Sequence, residues 1–278
     1  MEKKSINIYT IEPPKGLVRL NLKEIWQYRD LLYILVVRNI KVRYKQTMVG
    51  FAGAIISPFF SMVIFTIIFG KLAKIPSDNI PYAIFVFSGL LYWNYFSAAL
   101  NGASYSFISD AGIIQKVYFP RLILPLSTSI TPIIDYTIAL VILGCIMIYY
   151  HFAPALLGFL LIPVLLLITF CTATGIGLIA ASLNVKYRDV SYALSFFIQI
   201  LLYLTPIIYP VSIIPRQFQW LIFINPIAGV VTSARNSLLG TAPVNWTILL
   251  ISFAVSFILL VLGIIYFRKA ESYFADII

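Results

Sequence analysis

Charge is what this sequence has least of: 11% of its 278 residues are Asp, Glu, Lys or Arg, while 61% are hydrophobic. Soluble domains carry about 25% charged residues. A chain this poor in charge cannot cover itself with polar surface in water, so lipid must be the solvent for much of it. Histidine is nearly absent. The single His151 falls in a short loop between apolar runs, which argues against a histidine-centred metal or catalytic site. Cys145 and Cys171, the two cysteines, both lie inside apolar runs. They are expected to be buried packing residues and not a disulfide or metal pair. The apolar runs hold no glutamate, and Asp135 is their clear acidic exception. Catalytic signatures are missing too: there is no GxxxxGK(S/T) phosphate loop, HExxH, CxxC or GxSxG. The chain therefore offers no catalytic residue, no metal site and no cofactor site of its own. A secretory leader needs an apolar segment within the first 15–30 residues or so. Here the first run starts near Phe51, so the N-terminus is expected in the cytoplasm.

What is present is a series of long apolar runs, at roughly 51–70, 82–100, 122–149, 154–182, 190–208 and 247–267. Each approaches the ~20 residues a spanning helix needs. The reading is an all-α integral membrane protein with six spans. Pro125, Pro132 and Pro163 mark places where the third and fourth runs can kink. The net charge of +10 sits at the ends of apolar runs and not on a soluble domain, so it reads as a topology signal and not as a nucleic-acid surface. With the N-terminus inside, sixteen Lys and Arg fall in cytoplasmic segments, and four (Lys71, Lys74, Arg216 and Arg235) fall outside. That asymmetry places both termini in the cytoplasm.

Two regions do not fit simple spans. Residues 22–45 put Leu22, Ile25, Trp26, Leu32, Leu35, Val36 and Ile40 at helical spacing among basic residues, the pattern of an amphipathic helix in the inner interface. The second is 209–245, where two short apolar pieces flank Asn225-Pro226. Neither is long enough to span, and proline disfavours helix before it. They read as a re-entrant pair of half-helices dipping in from the outer face, tolerated at that depth only beneath protein or beside a water-filled cavity.

Three local features invite a functional reading. Asp135, inside the third span, is costly there and requires a hydrogen-bond partner; a proton or cation site and a buried interhelical bond to Thr or Tyr are the two readings. Tyr192, Phe196, Gln199 and Tyr203 recur on one face of the fifth run. Aromatic rings with polar tips suit a sliding polymer, and ordinary helix packing is the competing account. Phe65 and Phe69 on the first run repeat the pattern more weakly. Gly112–Tyr118, between the second and third runs, is apolar and basic and is stopped by Phe119-Pro120. It either projects into a partner's groove or snorkels at the interface.

Taken in order, YRDLLYILVVRNIKVRYKQTMVG (28–50), GIIQKVYFPRLILPLS (112–127), LNVKYRDV (183–190), TPIIYP (205–210) and INPIAGVVTSAR (224–235) resemble the permease subunit of type-2 ABC exporters of lipid-linked polysaccharide. The resemblance runs from about residue 25 to 270, leaving residues 1–24 as a cytoplasmic extension before a transmembrane domain at 25–278. It implies a homodimer in the bacterial inner membrane enclosing a channel for O-antigen, teichoic acid or capsule, O-antigen first among them. It also implies two copies of a separate cytoplasmic ATPase carrying ATP and Mg. By position, the interface helix 29–45 would supply Arg29, Arg38, Lys41, Arg43 and Tyr44 to a cytoplasmic gate. Ile113, Ile114, Gln115, Lys116, Val117 and Tyr118 would couple to the ATPase, with Arg188 and Asp189 at the entrance or a second contact. Asn225, Pro226 and Arg235, within 212–240, would belong to the outer gate. The aromatic stripe would line the channel. An ion-coupled transporter using Asp135, or an enzyme acting on lipid-linked sugar, would be the rival classes. The first would need an inverted repeat and the second clustered acids or histidines, and neither pattern is present.

Overall fold

The computed structural model describes residues 22–45, 48–114, 116, 118–187, 189–240 and 242–277. Among these there is helix and no strand. The order is α1 (Leu22–Gln27), α2 (Arg29–Lys45), α3 (Met48–Phe65), α4 (Tyr82–Ser109), α5 (Ala111–Ile114), α6 (Ile123–Ile130), α7 (Ile133–Tyr149), α8 (Leu156–Lys186), α9 (Val190–Leu204), α10 (Arg216–Phe223), α11 (Pro226–Leu239) and α12 (Trp246–Ile277). A π-helical turn, Thr66–Leu72, continues α3.

Five stretches among the described residues are long and apolar enough to cross a bilayer: Ile55–Leu72, Tyr82–Ser109, Ile123–Tyr149, Leu156–Lys186 and Trp246–Glu271. The fifth expected run behaves differently. It was expected to continue to residue 208, but α9 stops at Leu204, because Pro206 brings no amide hydrogen and disfavours helix at Thr205. Its 15 residues rise only about 22 Å, short of a hydrocarbon core of about 30 Å. The third run is split by Pro132, so that α7 begins afresh at Ile133.

α4 lies at the centre, almost wholly buried against α3, α6, α7, α8, α9 and α11. Its large side chains Phe85, Phe87, Trp93 and Phe96 anchor the main core. Backbones approach closely where residues are small, as lipid-embedded helix packing requires. A Cβ on Gly175 of α8 would stand 2.6 Å from the Leu259 carbonyl carbon of α12. Thr172 and Ser256 add a hydrogen bond of 2.7 Å across the same pair. A second core gathers where Leu35, Phe107, Phe119, Leu122, Ile123 and Phe267 meet.

The segment 22–45 is helical, with a break at Tyr28 between α1 and α2. Of the residues expected on the apolar face, Leu35 is buried and Ile25, Leu32, Val36 and Ile40 are half-buried, whereas Trp26 is exposed; Tyr33, Ile34 and Val42, outside that set, are exposed too. The cysteine expectation also needs correction. Cys145 is exposed and Cys171 half-buried, both free, because an apolar span presents much of its surface to lipid and not to protein.

Candidate functional site

The loop after α4 is built by the residue that ends the helix. The Asp110 carbonyl accepts from Ile113 N at 2.9 Å and Ile114 N at 3.3 Å, closing the single turn α5. Phe119 is buried at the far end, and the Pro120 carbonyl takes Ile123 N at 3.0 Å. Ile113 and Ile114 pack inward on the second core, whereas Lys116 and Tyr118 are exposed. The segment thus divides its labour, since its two isoleucines hold it down and its basic and aromatic residues remain available. Gln115 and Val117 lie outside the described residues, as does Arg188.

Asp189 stands at the start of α9. Its carbonyl accepts from Tyr192 N and Ala193 N at 3.1 and 3.2 Å, but its side chain does not cap the helix. Nearby is a buried polar network that sequence reasoning did not single out. Asn184 Nδ2 donates to the Ser104 carbonyl at 3.0 Å and to Ser104 Oγ at 2.5 Å, and Ser191 Oγ donates to Asn184 Oδ1 at 3.0 Å. This ties the ends of α8 and α4 to the first turn of α9. Asn184 lies within LNVKYRDV, and an asparagine at the end of a long apolar run was the available signal.

Of the expected interface residues, Arg38 and Arg43 are engaged. Arg38 Nη2 donates to Asp110 Oδ1 at 2.7 Å. Arg43 Nη2 pairs with Asp135 Oδ2 at 2.8 Å, and the Tyr44 hydroxyl donates to Asp135 Oδ1. Burial first, and then the hydrogen bond to Asp135, pushes the Tyr44 phenol up to about 12, so it keeps its proton at neutral pH. Arg29 lies 3.8 Å from its neighbour Asp30 on the surface and 5.5 Å from the Trp26 ring centroid, and Lys41 is exposed. Asp135 thus has both a tyrosine donor from another helix and a basic partner. Its helix also helps, since Pro132 starts α7 afresh and places the acid in the first turn, where a negative charge is favoured.

The α9 stripe falls on one exposed face, with Tyr192, Phe196, Gln199 and Tyr203 outward and Leu194 and Ile198 in the core. Phe65 and Phe69 are half-buried and meet each other edge to face at 5.6 Å.

Beyond α9 the chain carbonyls are taken up by side chains. Asn225 Oδ1 caps α11 by accepting from Ile227 N at 3.0 Å, and its Nδ2 donates to Thr205 Oγ1 at 2.9 Å. Pro226 occupies the first helical turn, where its missing amide costs nothing, and Gly240 closes the helix at φ 65°, the left-handed cap glycine favours. Tyr82 Oη donates to the Ile208 carbonyl at 2.6 Å. Arg235, counted in the sequence as an outer-side charge, is instead buried (5% exposed). Its guanidinium donates to the carbonyls of Phe85 (3.0 and 3.2 Å), Ile207 (2.7 Å) and Pro206. It also lies 3.6 Å from the centroid of the Phe85 ring. No carboxylate pairs with it among the described residues. It joins α4, α11 and the turn after α9. A cavity of about 170 Å³ beside it includes Asp78, Ser212 and Asn236. Among the described residues no three His, Cys, Asp or Glu side chains gather to hold a metal ion.

The sequence profile of ABC-2 type transporters matches residues 30–239. The chain belongs to the ABC-2 type transporter family. The match begins in α2 and ends with α11, so it takes in every element just described up to Leu239. This ABC-2 chain is similar to an O-antigen export system permease protein RfbA of Klebsiella pneumoniae, 30% identical over 249 residues, covering 90% of this chain and 95% of that protein. An RfbA permease of Myxococcus xanthus is 29% identical over 219 residues, 78% of this chain and 83% of its own. The polysialic acid transport protein KpsM of Escherichia coli is 24% identical over 212 residues, 74% and 80% of the two chains. The ABC-2 chain is thus a multi-pass membrane protein of a transporter family, in keeping with its five stretches long and apolar enough to cross a membrane.

Proposed function

We propose that this chain is the membrane-spanning permease subunit of an ATP-driven exporter that moves lipid-linked polysaccharide, O-antigen first, from the cytoplasm across the inner membrane. The observation that carries it is the nearly full-length similarity to O-antigen export permeases. Similarity to a polysialic acid transporter keeps a capsule polymer as the second substrate class. α9 with the turn at 205–210 completes a sixth crossing, both termini lie in the cytoplasm, and α10 and α11 re-enter from the outer face as part of the outer gate. α3 and α9 present bare apolar faces, which a second copy of the chain covers in a homodimer around the channel. Tyr192, Phe196, Gln199 and Tyr203 line that channel, joined by Phe65 and Phe69. The ATPase, two copies per dimer, binds ATP and Mg and docks on the loop that offers Lys116 and Tyr118. Ion coupling through Asp135 is the weaker reading, because Arg43 and Tyr44 already engage that carboxylate.

The test is affinity purification from native membranes. A cytoplasmic protein bearing a phosphate loop is expected at one copy per permease, and Lys116→Glu is expected to lower its recovery. A chain that emerges alone and moves solute unaided in liposomes would refute the proposal.

A further inference from the structure

Asp110 stands in an unfavourable place. It closes the C-terminal end of α4, where the helix dipole is already negative, and its side chain is only 10% exposed. Arg38 of α2 supplies the compensating charge at 2.7 Å. Further along the same helix, Arg43 meets the second acid, Asp135, at 2.8 Å, and Tyr44 donates to it as well. The two acids belong to different parts of the membrane domain. Asp110 opens the 111–118 loop, whereas Asp135 follows the break between α6 and α7. α2 is therefore tied at one point to the loop and at another to a discontinuity inside a span.

One turn before the first tie, α2 is packed into the second core. Leu35 of α2 is buried with Phe119, Leu122 and Ile123, and Ile113 and Ile114 rest on the same cluster. Beside the second tie a cavity of about 190 Å³ brings Ser57, Asn94 and Tyr95 to the Arg43–Asp135 pair. Asp110, nearly buried, is costly to leave without its partner, and Asp135 is held by two groups of the same helix. A displaced loop thus drags α2, and α2 drags the start of α7.

We propose that α2 is a charged strut that transmits displacement of the 111–118 loop to the α6–α7 break, with Arg38–Asp110 and Arg43–Asp135 as its two joints; this rests on the exporter reading above. Arg38, Arg43, Asp110 and Asp135 are then positioning residues of transport, acting through the elements they join.

The experiment uses the chain with its co-purified ATPase in proteoliposomes, and cells lacking their own copy, scored for their own surface polysaccharide. Asp110→Asn, Arg43→Gln and Asp135→Asn are compared with the exchange Arg43→Asp plus Asp135→Arg and with Arg43→Lys. The single neutral variants are expected to keep the ATPase and to hydrolyse ATP within about twofold of wild type, while export falls about tenfold. The exchange and Arg43→Lys are expected to recover most of the export. Wild-type export from the neutral variants overturns the strut, as does a loss of ATPase recovery in all of them that neither Arg43→Lys nor the exchange repairs. A wild-type chain that carries no ATPase overturns the exporter reading itself, and the strut with it.

Discussion

Arg235 illustrates how far a single side chain can depart from what its surroundings in the sequence suggest. Its position after an apolar run reads as a topology charge, yet its guanidinium takes up carbonyls on α4 and on the turn that proline breaks out of α9. A helix that stops at Thr205 leaves carbonyls without amide partners, and a planar fork with five donors suits them better than an ammonium. Arg235→Ala strips the carbonyls of Phe85, Pro206 and Ile207 at about 1–3 kcal/mol for each left unsatisfied. The melting temperature of the detergent-purified chain is expected to drop clearly, with Arg235→Lys recovering only part. An unchanged melting temperature contradicts the clamp. Tyr203 is the opposite case, with 56% of its surface exposed and no core to lose. Tyr203→Ala is expected to leave assembly intact and reduce surface polysaccharide severalfold. Wild-type export would remove it from the channel wall.

At the scale of elements, what counts is how closely helices approach. α8 and α12 meet through Gly175, placed against the backbone of Leu259 and Leu260, and Gly263, placed against the backbone of Gly175. Gly175→Ala inserts a methyl where none fits and is expected to cost about 1–3 kcal/mol, seen as a lower melting temperature. Gly144→Ala is the control. A Cβ there meets nothing within 4 Å, so the substitution is expected to be neutral or slightly stabilising, as alanine is in a helix. Equal behaviour of the two would discount the close approach. The helices themselves were legible from run length and proline, since both act through the local backbone. The exposed place of Trp26 was not, because it depends on what packs against α1. The partner of Asp135 was hidden for the same reason: Arg43 is 92 positions away in the chain and meets it only when α2 folds against α6 and α3.

For the whole molecule, orientation is the property that charge alone assigns. Cysteine substituted at Lys116 is expected to react with a membrane-impermeant maleimide only from the cytoplasmic side, and at Lys74 only from outside. The reverse pattern would invert the topology. The sequence by itself determined the solvent of this protein, its helical class, most of its spans and its resemblance to a transporter family. These follow from composition and from motifs read in chain order. Only the tertiary structure decided which charges are spent inside the protein, that the apolar half of the 111–118 loop packs inward, and that α9 is too short to cross by itself. Those outcomes depend on contacts between residues distant in the chain and on where proline ends a helix within its packed surroundings, and hydropathy averaged along the chain carries neither.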